Sequence, residues 1–116
     1  MSEDVYHGDI LSKEQGEDEV TLVISIPENL YYFKGHFPSS PVLPGVALTH
    51  WVMEYLAEYF EVDPNQFVGL SALKFQIIIC PNYEISLHLK KLNSSKYSFS
   101  YSSIHGQHAS GKVLFK

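Results

Sequence analysis

Gly35-His36-Phe37-Pro38-Ser39-Ser40-Pro41-Val42-Leu43-Pro44-Gly45-Val46-Ala47-Leu48-Thr49-His50 is the stretch around which the chain is organised. Three prolines, Pro38, Pro41 and Pro44, stiffen a loop that carries His36, since each ring locks its own φ. Pro44 stands at a predicted helix start, where the N–H that proline lacks would be unpaired anyway. An apolar run follows from Val46, and Asp63-Pro64-Asn65 breaks the chain again, so a helix is expected from about Pro44 to Phe60. The bare N–H groups of that start, and the positive end of the helix dipole, point at whatever the loop encloses. An imidazole held beside bare amides suits carbonyl chemistry: one group moves a proton while the others hold an oxyanion.

On either side of this segment the patterning is that of strands. Val20 to Ile26 is rich in β-branched residues and ends at Pro27, which predicts a strand. Residues 5–12 predict a weaker one, followed by a turn at Glu14-Gln15-Gly16-Glu17-Asp18. Phe67 to Ile79 reads as a long strand with room for a bend, closed by Pro81-Asn82. In Glu84 to Lys91, Ile85, Leu87 and Leu89 alternate with polar residues, as Tyr97, Phe99 and Tyr101 do with Ser98, Ser100 and Ser102. Residues 108–115 predict a last strand. One long helix with about five to six antiparallel strands is an α+β domain spanning residues 1–116. The helix is apolar almost all round, which requires burial by its surroundings, and a curved sheet wrapped about it would supply that.

Composition narrows the function. At 116 residues, 45% of them hydrophobic, with eight Tyr and seven Phe, the chain has the material for one core. No apolar run approaches the roughly 18 residues that a membrane span needs. The acidic start Met1-Ser2-Glu3-Asp4 has neither region of a signal peptide. A single cysteine, Cys80, rules out an intrachain disulfide and reads as structural, so a reducing cytoplasm is the expected compartment. The net charge of −5 is uneven: residues 1–19 hold seven acids and one lysine, while residues 20–116 hold six acids and seven lysines. The absence of arginine argues against nucleic-acid binding. Lys90, Lys91 and Lys96, with Lys34 beside the loop, could instead receive an acidic carrier protein.

The spacing Gly35-His36-Phe37-Pro38-x-x-Pro41-Val42-Leu43-Pro44-Gly45-Val46 resembles the signature loop of the β-hydroxyacyl-acyl carrier protein dehydratases, the FabA/FabZ enzymes of hotdog fold. The lead-in Asn29-Leu30-Tyr31-Tyr32-Phe33 and the pair His50-Trp51 are similar to the ApeI-like branch associated with aryl-polyene synthesis. The resemblance implies a long central helix wrapped by a curved antiparallel sheet, and dehydration of a 3-hydroxyacyl thioester. It implies no dissociable cofactor, because the phosphopantetheine arm arrives with its acyl carrier protein. It also implies a twofold dimer, a homodimer or a pairing with a related dehydratase, whose sites lie at the interface.

Within that resemblance His36 takes the place of the general base, with Phe37 beside it. A ring nitrogen of His36 is expected to bond the Val42 carbonyl, and the Gly45 N–H to bind the thioester oxygen. Fourteen residues after the histidine the related enzymes carry Glu or Asp; this chain carries His50. A histidine can hand a proton to the leaving hydroxyl, and Glu54, one turn further on the same face, is placed to orient it. Glu54, Glu58 and Glu61 otherwise read as a solvated helix edge. Ser39-Ser40 and a shorter N-terminal segment also differ from the housekeeping dehydratases, which leaves the acyl-chain preference open. His7, His88, His105 and His108 show no zinc spacing, so no metal is expected. A thioesterase of the same fold, or a non-catalytic subunit that explains His50 as loss of the acid, are the competing readings.

Overall fold

The computed structural model describes residues 5–33 and 42–116. Six strands flank one long helix: β1 (Asp9–Gln15), β2 (Glu19–Ser25), α1 (Gly45–Phe60), β3 (Phe67–Phe75), β4 (Glu84–Asn93), β5 (Lys96–Ser103) and β6 (Gly106–Phe115). They form a single antiparallel sheet in the order β1-β2-β4-β5-β6-β3. The alternation seen in the sequence sets the register. Leu22 pairs with Leu87, and Leu87 with Tyr101, so one apolar row runs across three strands on one face. A slip of one residue would turn that row to solvent.

This face holds α1. Leu48, Trp51, Val52, Tyr55 and Leu56 are buried in one cluster with the inward residues of β2, β4, β5 and β6. Two contacts fix the helix along its length. The Tyr101 hydroxyl donates to the Leu48 carbonyl at 2.7 Å, and the Phe60 ring lies 5.3 Å from that of Tyr97. Trp51 is fully buried; truncating such an aromatic to alanine typically costs about 3–5 kcal/mol.

The helix is not enclosed on every side, as its composition suggested. Val46 is 71% exposed, and His50 also faces outward. The reason is topological. β3 ends the sheet with Val68, Leu73 and Phe75 exposed, and its Phe67 and Leu70 border the open side of α1. The expected strand from Phe67 to Ile79 is also shorter. The register with β6 shifts between Ser71 and Lys74, where Ala72 takes a left-handed φ of 53°. Residues beyond Phe75 leave the ladder; the Gln76 N–H still bonds the His108 carbonyl at 2.8 Å.

At the other end of the sheet, β1 begins at Asp9 rather than Val5. Residues 5–8 instead cross the helix. Val5 bridges Leu30 in parallel, and its carbonyl takes the Tyr31 N–H at 2.6 Å. Gly8 sits where a β-carbon would meet Ile24 Cγ2 at 2.4 Å and the Ser25 carbonyl at 2.8 Å. Only glycine lets the chain pass β2 this closely.

Candidate active site

Helix α1 begins at Gly45, with Pro44 as its N-cap in extended backbone (φ −71°, ψ 149°) and no side chain capping it. Pro44 therefore precedes the first helical residue instead of being it. The Leu43 N–H donates to the Ile79 carbonyl at 2.8 Å, which ties the helix start to the segment after β3. Between them opens a cleft of about 430 Å³, walled by residues 42–45, by residues 75–79, and by Leu48 and His108. The Phe75 ring covers Gly45: a β-carbon there would lie 2.9 Å from its Cε1 and Cζ. His36 and Phe37, like Lys34, lie outside the described residues, so the expected bond from His36 to the Val42 carbonyl does too.

His108, which carries no signal in the sequence, proves to be a packing residue. It is the buried polar side chain of the described core. Its Nδ1–H donates to the Ile77 carbonyl at 3.1 Å, and Nε2 accepts from the Ser103 hydroxyl at 2.6 Å. Both ring nitrogens have partners, which pins the cleft wall to β6.

The second half of the site lies on the open side of α1. His50, Val46, Thr49 and Met53 share a shallow hollow with Phe67 and Leu70 of β3. His50 Nε2 lies 2.8 Å from Glu54 Oε1, an i,i+4 contact. Glu54 thus stands against His50 on the same helix face, whereas Glu58 and Glu61 are exposed. Its other oxygen, Oε2, lies 2.5 Å from His7 Nε2. Nothing in the sequence links His7 to the helix; the one local hint is Gly8, since an isolated glycine in a strand-like segment often marks close backbone approach. Among the described residues no group of three His, Cys, Asp or Glu side chains is arranged to hold a metal ion.

The lysines expected on adjacent strands lie there, on β4 and β5. Lys90, Lys91 and Lys96 cluster at the β4–β5 turn, where Asn93 pairs with Lys96 and Lys91 with Tyr97. That end of the sheet meets the last residue of α1. A helix of 16 residues is about 24 Å long, so these lysines stand at the end opposite Gly45. Among the described residues no helix is long and apolar enough to cross a membrane.

Sequence comparison bears on this geometry directly. The ApeI-like family, described as ApeI dehydratase, matches residues 12–112. The chain belongs to that family. Among solved structures, a chain of the dehydratase heterocomplex ApeI:P from Xenorhabdus doucetiae superposes with a TM-score of 0.82 at 27% identity, covering 92% of this chain and 96% of that one. An uncharacterized protein from Erwinia carotovora subsp. atroseptica gives a TM-score of 0.74 at 29% identity, covering 90% of each chain. Curated relatives include the 3-hydroxyacyl-acyl-carrier-protein dehydratase FabZ of Lactococcus lactis subsp. lactis (strain IL1403), 32% identical over 84 residues, which is 64% of this chain and 56% of that protein. The chain thus spans about half the length of the curated relatives it matches. The hotdog fold and the dehydratase family expected from the loop are both shown. In this ApeI-like chain the helix position where the related enzymes were expected to carry an acid holds His50, and a carboxylate, Glu54, stands directly behind it.

Proposed function

We propose that this protein catalyses the reversible dehydration of a 3-hydroxyacyl thioester presented by an acyl carrier protein, in synthesis of fatty-acid or aryl-polyene type. The observation that carries the reading is the His50–Glu54 pair in an ApeI-like dehydratase. The contact sets His50 Nε2 against a carboxylate, which offers only acceptors, and leaves Nδ1 for substrate. In the forward direction His36 removes the proton on the carbon next to the thioester carbonyl, while the Gly45 N–H receives the developing oxyanion. The electron pair closes the carbon–carbon double bond, and the C–O bond at the β-carbon breaks. His50, protonated at both nitrogens, gives its Nδ1 proton to the departing hydroxyl, which leaves as water. The apolar cleft beside Gly45 suits the carbons next to the thioester. Val42 and Phe37 complete the loop as supporting residues.

The assembly in this reading is a dimer joined along the β3 edges, with His36 of one protomer facing His50 of the other. The exposed apolar side chains of β3 and the uncovered side of α1 favour it. Whether the partner is a second copy or a related dehydratase bears on a second reading. A structure to which the chain is similar is a heterocomplex, and His50 in the place of an acid would suit a subunit that lends surface rather than chemistry.

One assay separates these readings. Purified protein is incubated with crotonyl and 3-hydroxybutyryl pantetheine thioesters, and the products are identified. Interconversion of the two supports the dehydratase, and free thiol release supports a thioesterase. An inert protein that gains activity only with a related dehydratase supports the subunit reading.

A further inference from the structure

We propose that His7 is a positioning residue of the site, acting through Glu54 on the orientation of His50; this rests on the dehydratase reading above. The Glu54 carboxylate is shared by two imidazoles, Oε2 facing His7 Nε2 at 2.5 Å and Oε1 facing His50 Nε2 at 2.8 Å. With one oxygen engaged, a half-exposed glutamate on a helix surface swings about its side-chain torsions. With both engaged, the plane of the carboxylate is fixed, and with it the direction in which His50 presents Nδ1. The His7 contact is a hydrogen bond in which the carboxylate accepts from Nε2, and the His50 contact is an ion-pair approach of Nε2 to the second oxygen.

An exposed His–Glu contact taken alone contributes little. What separates this one is how His7 is held. The backbone leading into it is anchored: the Val5 carbonyl accepts from the Tyr31 N–H at 2.6 Å, and the Tyr6 carbonyl accepts from Trp51 Nε1 at 2.8 Å. Gly8 admits no β-carbon against β2. The His7 ring itself lies over the buried Trp51 indole, with centroids 6.4 Å apart and planes 25° from parallel. Trp51 follows His50 in the chain, so one helical turn carries both the group that is oriented and the platform that fixes its orienter. Among the described residues, the titratable groups that interact with this carboxylate are His7 from the segment before β1 and His50 and Tyr55 from α1 itself.

The test compares wild type with His7→Leu, His7→Gln and Glu54→Gln by nitrogen-15 NMR of the imidazoles and by turnover of 3-hydroxybutyryl pantetheine thioester. In wild type the neutral His50 ring, the form left once Nδ1 has given up its proton, should report the Nε2–H tautomer. In His7→Leu they should move toward their positions in Glu54→Gln. In His7→Gln, whose amide N–H still donates to Oε2, they should stay. kcat should fall roughly tenfold in His7→Leu with KM unchanged, within the hundredfold that a misplacement of about 1 Å can bring, and recover in His7→Gln. Should the leucine variant not fold, His7→Asn, too short to reach Oε2, replaces it. His50 signals indifferent to His7→Leu would overturn the proposal, as would equal losses in the leucine and glutamine variants. A wild type that turns over no thioester, while its His50 signals respond as described, would remove the dehydratase reading and leave the link from His7 to His50 standing.

Discussion

The Phe75 ring lies against Gly45 so closely that the helix start has no room for a β-carbon: its Cε1 and Cζ would stand 2.9 Å away. The two residues belong to opposite walls of the same cleft. Gly45 is helical, so alanine is free of backbone strain there and gains helix propensity. Phe75 is 54% exposed on an edge strand and can swing aside. Gly45→Ala should therefore melt within about 1 kcal/mol of wild type yet lose turnover, because the displaced ring reshapes the cleft beside the oxyanion position. Thermal melting and kcat/KM measured on one preparation check both halves.

The roles assigned to the two histidines separate by substitution. His36→Ala should lower kcat by about a hundredfold to ten-thousandfold, the usual share of a general acid–base group. His50→Ala should be severely impaired as well, whereas His50→Glu, which restores the carboxylic acid expected of the related enzymes, should retain or raise activity. Glu54→Gln keeps one hydrogen-bonding oxygen and should lose less. A fully active His50→Ala beside a dead Glu54→Gln would transfer the acid to Glu54.

Tyr101 sets a limit at high pH. Burial holds its phenol well above the ordinary value of 10, with Tyr55 adding to the effect, and Tyr55 is itself pushed up to about 12 by burial and by Glu54 and Glu58. Below pH 10 the phenols are protonated in folded and unfolded chains alike, and their contribution is fully present. As pH rises through the ordinary value the unfolded chain loses these protons first, so stability falls from there through about pH 12. Urea unfolding across that range should show the decline. Tyr101→Phe should lose about 0.5–1.5 kcal/mol near neutrality with the bond to Leu48 and show a shallower alkaline slope.

Val46 on α1 and Val68 on β3 are 71% and 58% exposed in the single chain. Lysine at both positions is compatible with that chain and incompatible with a second protomer laid over the same surface, where two charges would lose water. The double variant Val46→Lys/Val68→Lys should remain folded by circular dichroism and sediment as a monomer. It should also be inactive, because each site would lack its other half. A dimer with wild-type turnover would place the interface elsewhere.

Much of this was legible because periodicity and proline are strong local signals. The alternation through Ile85, Leu87 and Leu89 set the register of β4, and Pro27 and Pro64 marked the ends of β2 and α1 to within a few residues. What stayed hidden depended on contacts distant in sequence. β3 was expected to run to Ile79, since nothing in Ser71-Ala72-Leu73-Lys74 announces a bulge, and a left-handed alanine is one that local propensity argues against. Residues 5–8 looked like the start of a strand because their apolar spacing allows one; the Trp51 indole and the Leu30 bridge, far along the chain, decide otherwise. His7 and His50 lie 43 positions apart in the chain, and only the fold sets both against one carboxylate.

Trp51 is the sole tryptophan of the chain, and it lies under His7 with its ring nitrogen bonded to the Tyr6 carbonyl. An excited indole is sensitive to a charged imidazolium stacked on it. The fluorescence of this one residue therefore reads out the protonation of His7 and the seating of the segment that carries it. The protein has an optical gauge beside its proposed site, with no label to attach and no second tryptophan to subtract.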